Sequence, residues 1–527
     1  MAPLLAHVNG PMSLPNQYFN NANIIAPLAI TSHINAVYKN SSGSGSTCSS
    51  LNREIFKVLE EIVPEFLTAP IAESGSTSTS TSKSVPMPMM SAKVMPQDLI
   101  VNNLTGGLSN YLLTVSLNIN SDASDSVHMH EQISEQSPRT LLFRLHTDDF
   151  DIVDVGVGVD VDVGVDAELD TGNANDASSL IDRNLENQIS AELSQTGIAP
   201  KYYGRFLNGR IEEFYEEMRT LCCSEMSELK YAKAIAVQLA KLHKMEISSL
   251  AIKSKATNEY KEGQIWERIE GWVGAVQNAF CSGGTSTTRE GIDAGLPKQQ
   301  CQLVNNMLRE IQCEWKWLKS HKFVQPEEGG DSDHPHFTSQ VRRALEFSRE
   351  IVFAHNDCQS LNILTPRCRD VESRCDGVDV DADDTDQGLG DVRLIDFEYA
   401  GMNRRAVDLG NTFAEFCDMT NLEPDYGSQY PSDSVQNAFL KAYMEEYYDG
   451  KNELDDNGSS TVDMNDDVFL ATLRQEIEKH SLLSHLGWAS WSLLQSTSSS
   501  GIEFDYVRYA AVRLEGYRFF KGKFYDY

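Results

Sequence analysis

The chemistry that this sequence could perform is concentrated in the stretch IVFAHNDCQSLNILTP, residues 351–366. An apolar run leads to Asp357, and Asn362 follows five positions later. Phosphoryl transfer from a nucleotide to an alcohol needs a carboxylate that accepts the hydroxyl proton and a nearby amide oxygen that binds a divalent ion. A turn of this length would let both side chains face one phosphate. Taken alone, the pattern also fits a polar turn in a loop of any function.

A second stretch, VRLIDFEY at residues 392–399, strengthens the prediction of phosphoryl transfer. Its apolar residues predict a strand that delivers Asp396, and strand alternation would put Glu398 on the same side. Carboxylate and amide oxygens suit Mg²⁺, an ion that nucleotide phosphates help to hold. The predicted catalytic residues are Asp357, Asn362 and Asp396, and the predicted metal ligands are Asn362, Asp396 and Glu398.

Together the two stretches resemble the signature blocks of the choline/ethanolamine kinase family. HNDCQSLNIL is similar to the first block and LIDFEYAGMNRRAVDLGNTFAEF to the second, within a resemblance that covers roughly residues 98–520. It implies ATP and a small amino alcohol as substrates, Mg²⁺ as cofactor, and the first step of the CDP-ethanolamine route to phosphatidylethanolamine. A related small-molecule kinase, such as an aminoglycoside kinase, and a pseudokinase scaffold remain alternatives.

The resemblance also implies a nucleotide site upstream. LTGGLSN resembles the loop that covers the nucleotide, and LLFRLH resembles the strand whose Arg replaces the usual kinase Lys. A Glu in ENQISAEL would orient that Arg, and NGRIEEF resembles the segment that leads to the adenine-contacting connector. The predicted ATP-binding residues are Gly106, Gly107, Ser109, Asn110, Arg144, Glu186 and Glu213.

An ammonium group needs a carboxylate or aromatic faces, and the resemblance implies Glu415 as the carboxylate. Trp488 and Trp491 lie three positions apart, so they share a helix face. On periodicity alone they would be helix core, but with other rings they could form a wall worth ~0.5–2 kcal/mol per cation–π contact. The predicted substrate-binding residues are Asp357, Tyr399, Glu415, Trp488, Trp491 and Tyr509.

The choice between ethanolamine and choline depends on smaller signals. DYGSQYP, after Glu415, and IEFDY, near the end, resemble ethanolamine kinases, whereas GGLSN and HNDCQ resemble choline kinases. We expect ethanolamine, with choline or dual use left open. Leu361 and Thr412 stand where the family usually has Gly and His, a departure that concerns rate and not reaction class.

Strands come first and helices later, which predicts an α+β, protein-kinase-like two-lobed fold with a small β-rich N-lobe and a large mostly helical C-lobe. The predicted domains are a disordered tail at 1–50, a helix and Ser/Thr-rich linker at 51–97, the N-lobe at 98–217 and the C-lobe at 218–527. Acidic insertions are predicted at 151–178, 367–390 and 449–467, because long insertions cost little closure entropy.

Charge and composition exclude several classes of protein. The 527 residues include 44 Lys and Arg against 77 Asp and Glu, and the net charge of -33 argues against nucleic acid as a partner. No apolar run approaches the ~20 residues of a membrane helix. Ten cysteines without CxxC spacing fit reduced thiols. We expect a cytoplasmic protein without a membrane span, with a homodimer as one option for its assembly.

Overall fold

The computed structural model describes two compact units of the chain. It describes residues 49–68, 94–104, 110–117, 140–146, 181–206, 209–248, 250, 263–281, 298–320, 339–367, 390–448, 466–497 and 504–525. The first unit contains the described residues before 147 and Pro200–Glu216, and the second contains the other described residues. Nearly all of the predicted tail, the linker, the turn with Gly106, Gly107 and Ser109, and most of the acidic insertions lie outside the described residues. The predicted domain limits therefore stay a prediction.

The first unit contains an antiparallel sheet of five strands, β1 Leu99–Leu104, β2 Asn110–Leu117, β3 Thr140–His146, β4 Tyr202–Phe206 and β5 Gly209–Glu213, in the order β1-β2-β3-β5-β4. Segments such as NYLLTVSL favour strands because β-branched and aromatic residues fit a half-buried pleated surface. In the register of β2 and β3, Leu112 lies opposite Arg144.

Helix α1, Ser49–Ile62, packs on this sheet, and all but its first two residues lie in the stretch 51–97 where a helix was predicted. Ile55 and Leu59 are fully buried in the same core as the strand residues. At Gly204 a Cβ atom would come within 2.5 Å of the Ile62 side chain, so glycine is needed for this close approach. The helix is thereby fixed against β4.

The second unit is mostly helical. Two small antiparallel groups of strands lie within it, β7 with β10 and β6-β8-β9. Their bounds are β6 Met218–Thr220, β7 Ile351–Ala354, β8 Ile363–Pro366, β9 Arg393–Leu394 and β10 Gly401–Arg404. The helices are α2 Arg183–Thr196, α3 Leu229–His243, α4 Ile265–Cys281, α5 Lys298–Ser320, α6 Ser339–Arg349, α7 Arg405–Ala414, α8 Tyr426–Gln429, α9 Asp433–Tyr447, α10 Asp467–Gln495 and α11 Tyr506–Tyr525.

Helix α10 is the centre of this unit and packs against α4, α6, α7 and α11. Nearly every residue of its second half is buried, so this half of the helix lies inside the core of the unit. The predicted α+β class is confirmed. No helix in the described ranges is long and apolar enough to cross a membrane.

Candidate active site

The predicted pair Asp357 and Asn362 is brought together at the end of β7. The Asn362 Nδ2 atom donates to the Asp357 Oδ2 atom at 2.8 Å and to the Asp357 carbonyl oxygen at 2.9 Å. Both residues are buried. Because a carbonyl oxygen can only accept, the atom that faces it must be Nδ2, which leaves the Asn362 Oδ1 atom for a cation.

Asp396 is joined to this pair through the backbone. The amide of Ile395 donates to the carbonyl oxygen of Asn362 at 3.0 Å. The strand predicted at 392–399 ends at Leu394, and Asp396 has φ 66°, in the left-handed region. The alternation argument for Asp396 and Glu398 was therefore wrong, because the backbone leaves the strand before either residue.

Asn356 has the same unusual backbone, with φ 65°. Its side chain is held on both sides: the Nδ2 atom donates to the carbonyl oxygen of Tyr399 at 2.9 Å, and the Oδ1 atom accepts from Asn403 Nδ2 at 2.6 Å. A left-handed residue other than glycine costs about 1–3 kcal/mol and persists where neighbouring contacts determine it. Such strain next to Asp357 is typical of a functional loop.

The loop is anchored by Asp408, in the first turn of α7. Its carboxylate accepts from the backbone amides of His355, at 3.0 Å, and Asn356, at 2.7 Å, and from His243 Nε2 at 2.8 Å. Burial alone would raise the pKa of Asp408, but these donors hold it below its usual value. Burial lowers the pKa of His243, so its ring is neutral near pH 7, and with Nε2 donating to Asp408 the Nδ1 atom accepts from the Tyr443 hydroxyl, 2.6 Å away. Sequence reasoning missed Asp408. An acidic residue between the apolar residues of AVDLG was the feature that could have identified it.

Several carboxylates lie near Asp357 and affect its protonation. Burial raises the pKa of this carboxyl group, and the carboxylates of Glu415, Asp396 and Glu398 raise it further. Arg183 donates to Glu398 at 3.2 Å. In the described parts of the chain, no three His, Cys, Asp or Glu side chains are grouped as a ready-made metal site. The oxygen donors and the excess of buried negative charge nonetheless fit a divalent ion that nucleotide phosphates also hold.

The predicted nucleotide-binding residues lie in two places. In the first unit, Arg144 Nε donates to Glu212 at 3.3 Å, and Arg210 donates to the same carboxylate at 2.7 Å. Glu213 accepts from the backbone of Lys201 at 3.1 Å, and Asn110 begins β2. In the second unit, Glu186 accepts from Arg183 at 2.8 Å. The nucleotide-binding roles of Asn110, Arg144, Glu186 and Glu213 stay predictions.

Aromatic rings meet where the amine site was predicted. The Tyr399 and Trp488 rings lie 5.0 Å apart, edge to face, and Trp491 contacts Trp488 at 5.5 Å. Trp272, which the sequence analysis did not identify, contacts both Tyr399 and Trp488. Both predicted tryptophans are mostly buried, so a contact with substrate stays a prediction.

Glu415 and Tyr509 form a separate group with an arginine that the sequence analysis also missed. Arg513 Nη2 donates to Glu415 at 2.5 Å, and Arg513 Nε donates to the Tyr509 hydroxyl at 2.9 Å. Burial raises the pKa of Glu415, and Arg513 opposes that rise. The carboxylate predicted for the substrate ammonium therefore already has an internal partner.

The sequence and the fold were compared with those of known proteins. The Choline/ethanolamine kinase family model matches residues 173–518, well over half of the chain. Ethanolamine kinase 2 of Rattus norvegicus is 26% identical over 338 residues, which are 64% of this chain and 66% of the relative. Ethanolamine kinase of Drosophila melanogaster is 30% identical over 352 residues, 66% of this chain and 52% of the relative. The chain thus spans less than two thirds of the length of either relative.

A solved structure shows that the fold is shared. Plasmodium vivax ethanolamine kinase superposes with a TM-score of 0.54 and 19% sequence identity, over 96% of this chain and 98% of that one. This similarity confirms the predicted kinase-like fold, and the match to the family model covers both signature blocks. The chain belongs to the choline/ethanolamine kinase family.

Proposed function

We propose that this chain transfers the γ-phosphoryl group of ATP to the hydroxyl of a small amino alcohol, ethanolamine in preference to choline. One observation carries the proposal: Asp357, held by Asn362, is buried among the carboxylates of Asp396, Glu398 and Glu415. A carboxylate that accepts a proton, beside oxygen donors for a divalent ion, is the arrangement that phosphoryl transfer to an alcohol requires.

Asp357 is the proposed general base. Its raised pKa makes it a stronger proton acceptor than an exposed carboxylate. The hydrogen bond from Asn362 holds Oδ2, so Oδ1 can orient the substrate hydroxyl and accept its proton. Asp408 holds the backbone of this loop through His355 and Asn356, which keeps the base in place for the reaction.

We also propose that the reaction uses Mg²⁺ as cofactor and takes place in the cytosol. Asn362, Asp396 and Glu398 would hold the ion, which supplies positive charge against the phosphate oxygens when bound. Positive charge there would also offset the repulsion that raises the pKa of Asp357. Arg144 is the proposed phosphate contact.

Ethanolamine is favoured because the surroundings of Asp357 are rich in carboxylates. A primary ammonium donates three hydrogen bonds, whereas the quaternary ammonium of choline donates none. Choline is the second candidate, since the contacts among Tyr399, Trp272 and Trp488 provide aromatic surface for a methylated ammonium.

An ADP-release assay on the full chain tests the proposal. Ethanolamine, its mono- and dimethyl derivatives, choline and an aminoglycoside are compared with ATP, with and without Mg²⁺, and the phosphorylated product is identified by ³¹P NMR. We expect Mg²⁺-dependent turnover that is fastest with ethanolamine. Turnover of the aminoglycoside alone, or of no alcohol, would refute the proposal.

The variant Asp357→Ala tests the role of the base. We expect turnover to fall by at least about a hundredfold, the usual contribution of a general base, while nucleotide affinity stays nearly unchanged. The surface variant Glu346→Gln serves as control, because Glu346 is exposed on α6. Wild-type turnover in Asp357→Ala would rule out this role.

A further inference from the structure

Arg268, on helix α4, supplies a fixed positive charge inside the aromatic group formed by Trp272, Tyr399 and Trp488. Its Nη1 atom donates to the carbonyl oxygen of Tyr399 at 2.9 Å, and its guanidinium carbon lies 5.7 Å from the centroid of the Tyr399 ring. Burial lowers the pKa of Arg268, but a guanidinium stays protonated at neutral pH. A cation of the protein itself therefore already lies over this ring.

A small cavity is lined by Arg268 and by the rings of Trp272, Tyr399 and Trp488. Asn411 lines it and is buried. The Asn411 Oδ1 atom accepts from Trp488 Nε1 at 3.0 Å and from Ser484 Oγ at 2.7 Å. Because an indole nitrogen can only donate, this atom must be the oxygen. The Asn411 Nδ2 atom then has no hydrogen-bond partner in the described part of the chain.

Glu415 and Tyr509, the second group of predicted amine-binding residues, also contact an arginine, Arg513. The guanidinium of Arg513 lies 5.0 Å from the centroid of the Tyr509 ring and donates to Glu415. Each of the two tyrosines predicted to surround the amine thus has an arginine over its ring. A quaternary ammonium relies on ring faces, since it can neither donate a hydrogen bond nor displace a bonded guanidinium.

A primary ammonium is less affected by these arginines. It is small and can donate hydrogen bonds to the carboxylates around Asp357. The attraction between the ammonium and these carboxylates offsets the repulsion between the ammonium and Arg268. The two amines should therefore differ in their sensitivity to the charge at residue 268.

We propose that Arg268 is a specificity-determining residue, whose charge over the Tyr399 ring excludes quaternary ammonium groups from the aromatic cluster and limits the acceptor to a small primary amino alcohol. This inference rests on the proposed function and names the feature that sets its substrate preference. Arg268 takes no part in the transfer of the phosphoryl group.

The test compares wild-type protein with Arg268→Met, Arg268→Lys and the surface control Arg342→Met, which lies exposed on α6. Values of kcat/KM are measured for ethanolamine, its mono- and dimethyl derivatives and choline. We expect Arg268→Met to raise the ratio of choline to ethanolamine about tenfold, in steps that follow the number of methyl groups. Arg268→Lys keeps the charge and should keep most of the preference, and Arg342→Met should match the wild type.

A binding measurement separates this inference from the proposed function. Quenching of tryptophan fluorescence by choline and by ethanolamine is titrated in each protein, and melting temperatures establish that each is folded. Tighter choline binding in Arg268→Met supports the inference even if no amine is phosphorylated. The absence of phosphorylation would refute the proposed function but not the inference. An unchanged choline-to-ethanolamine ratio in folded Arg268→Met, by both kinetics and binding, would overturn the inference.

Discussion

The carboxylate of Asp408 lies 2.7 Å from the backbone nitrogen of Asn356, the residue that precedes the proposed base. The same carboxylate also accepts a hydrogen bond from the backbone amide of His355, which lies 53 residues earlier in the chain. One buried side chain thus holds two successive amides of the loop, including the left-handed position at Asn356. The orientation of Asp357 depends on a residue that has no part in the chemistry.

The variant Asp408→Asn should be strongly destabilised. One carboxylate oxygen would become an NH₂ group facing the donors of His243, His355 or Asn356, and a buried polar group left without its hydrogen-bond partner costs about 1–3 kcal/mol. The free energy of unfolding in urea measures the loss. Asp433→Asn is the matched control, because the Asp433 side chain is 79% exposed and should change stability by less than about 1 kcal/mol. Equal losses in the two variants would contradict the anchoring role.

The variant Asp357→Asn should be more stable than the wild type near neutral pH. Burial and neighbouring carboxylates raise the pKa of Asp357, so the folded chain binds this proton more tightly than the unfolded chain. That stabilisation is complete below the unfolded pKa of ~3.9 and is lost as the pH rises through the folded pKa.

Melting temperatures measured without nucleotide or metal, from pH 4 to pH 8, test this. We expect Asp357→Asn to melt at least about 1 °C above the wild type at pH 7.5, the shift that roughly 1 kcal/mol produces in a chain of this size, and the difference to shrink towards pH 4. The exposed Asp391→Asn should follow the wild type throughout. A constant difference at every pH would show that the carboxyl group is not the cause.

Removing Arg513 should leave the Glu415 carboxylate buried without its partner. Breaking a buried pair costs about 3–5 kcal/mol, whereas replacing both members by apolar groups is often nearly neutral. We therefore expect Arg513→Met to be strongly destabilised and Arg513→Met combined with Glu415→Leu to recover most of the loss. Arg508→Met is the control, because it removes a pair with Glu515 that is about half exposed. Its free energy of unfolding should fall by less than about 1 kcal/mol. Failure of the double variant to recover stability would argue against this account.

At Gly410 helix α7 comes close to the backbone of α10. A Cβ atom there would lie 2.7 Å from the carbonyl oxygen of Ile477 and 2.9 Å from the amide of Ser481, both backbone atoms that cannot rotate away. Gly410→Ala should therefore lower the free energy of unfolding by about 1–3 kcal/mol. Gly274→Ala, in α4, meets nothing within 4 Å and should gain up to about 1 kcal/mol from helix propensity. The same chemical change is thus expected to have opposite signs, and unfolding in urea distinguishes them.

Local patterns in the sequence were sufficient for much of the fold. A helix was predicted within residues 51–97, where most of α1 lies, and LLFRLH, predicted as a strand, forms most of β3. Helices α7 and α9 were not identified, because α7 contains Gly410 and α9 begins with the polar segment DSVQN, and both features resemble loops. The strand through Asp396 was predicted too long, since apolar residues alone do not show where the backbone turns.

The sequence by itself determined the pairing of Asp357 with Asn362, because five residues span one turn and local geometry brings the two side chains together. Only the tertiary structure decided what surrounds that pair. Arg268 meets Tyr399 across 131 residues, and Arg513 meets Glu415 across 98. Such contacts depend on how α4, α7, α10 and α11 pack, and packing is set by shape and burial over the whole unit, which no spacing of residues along the chain encodes.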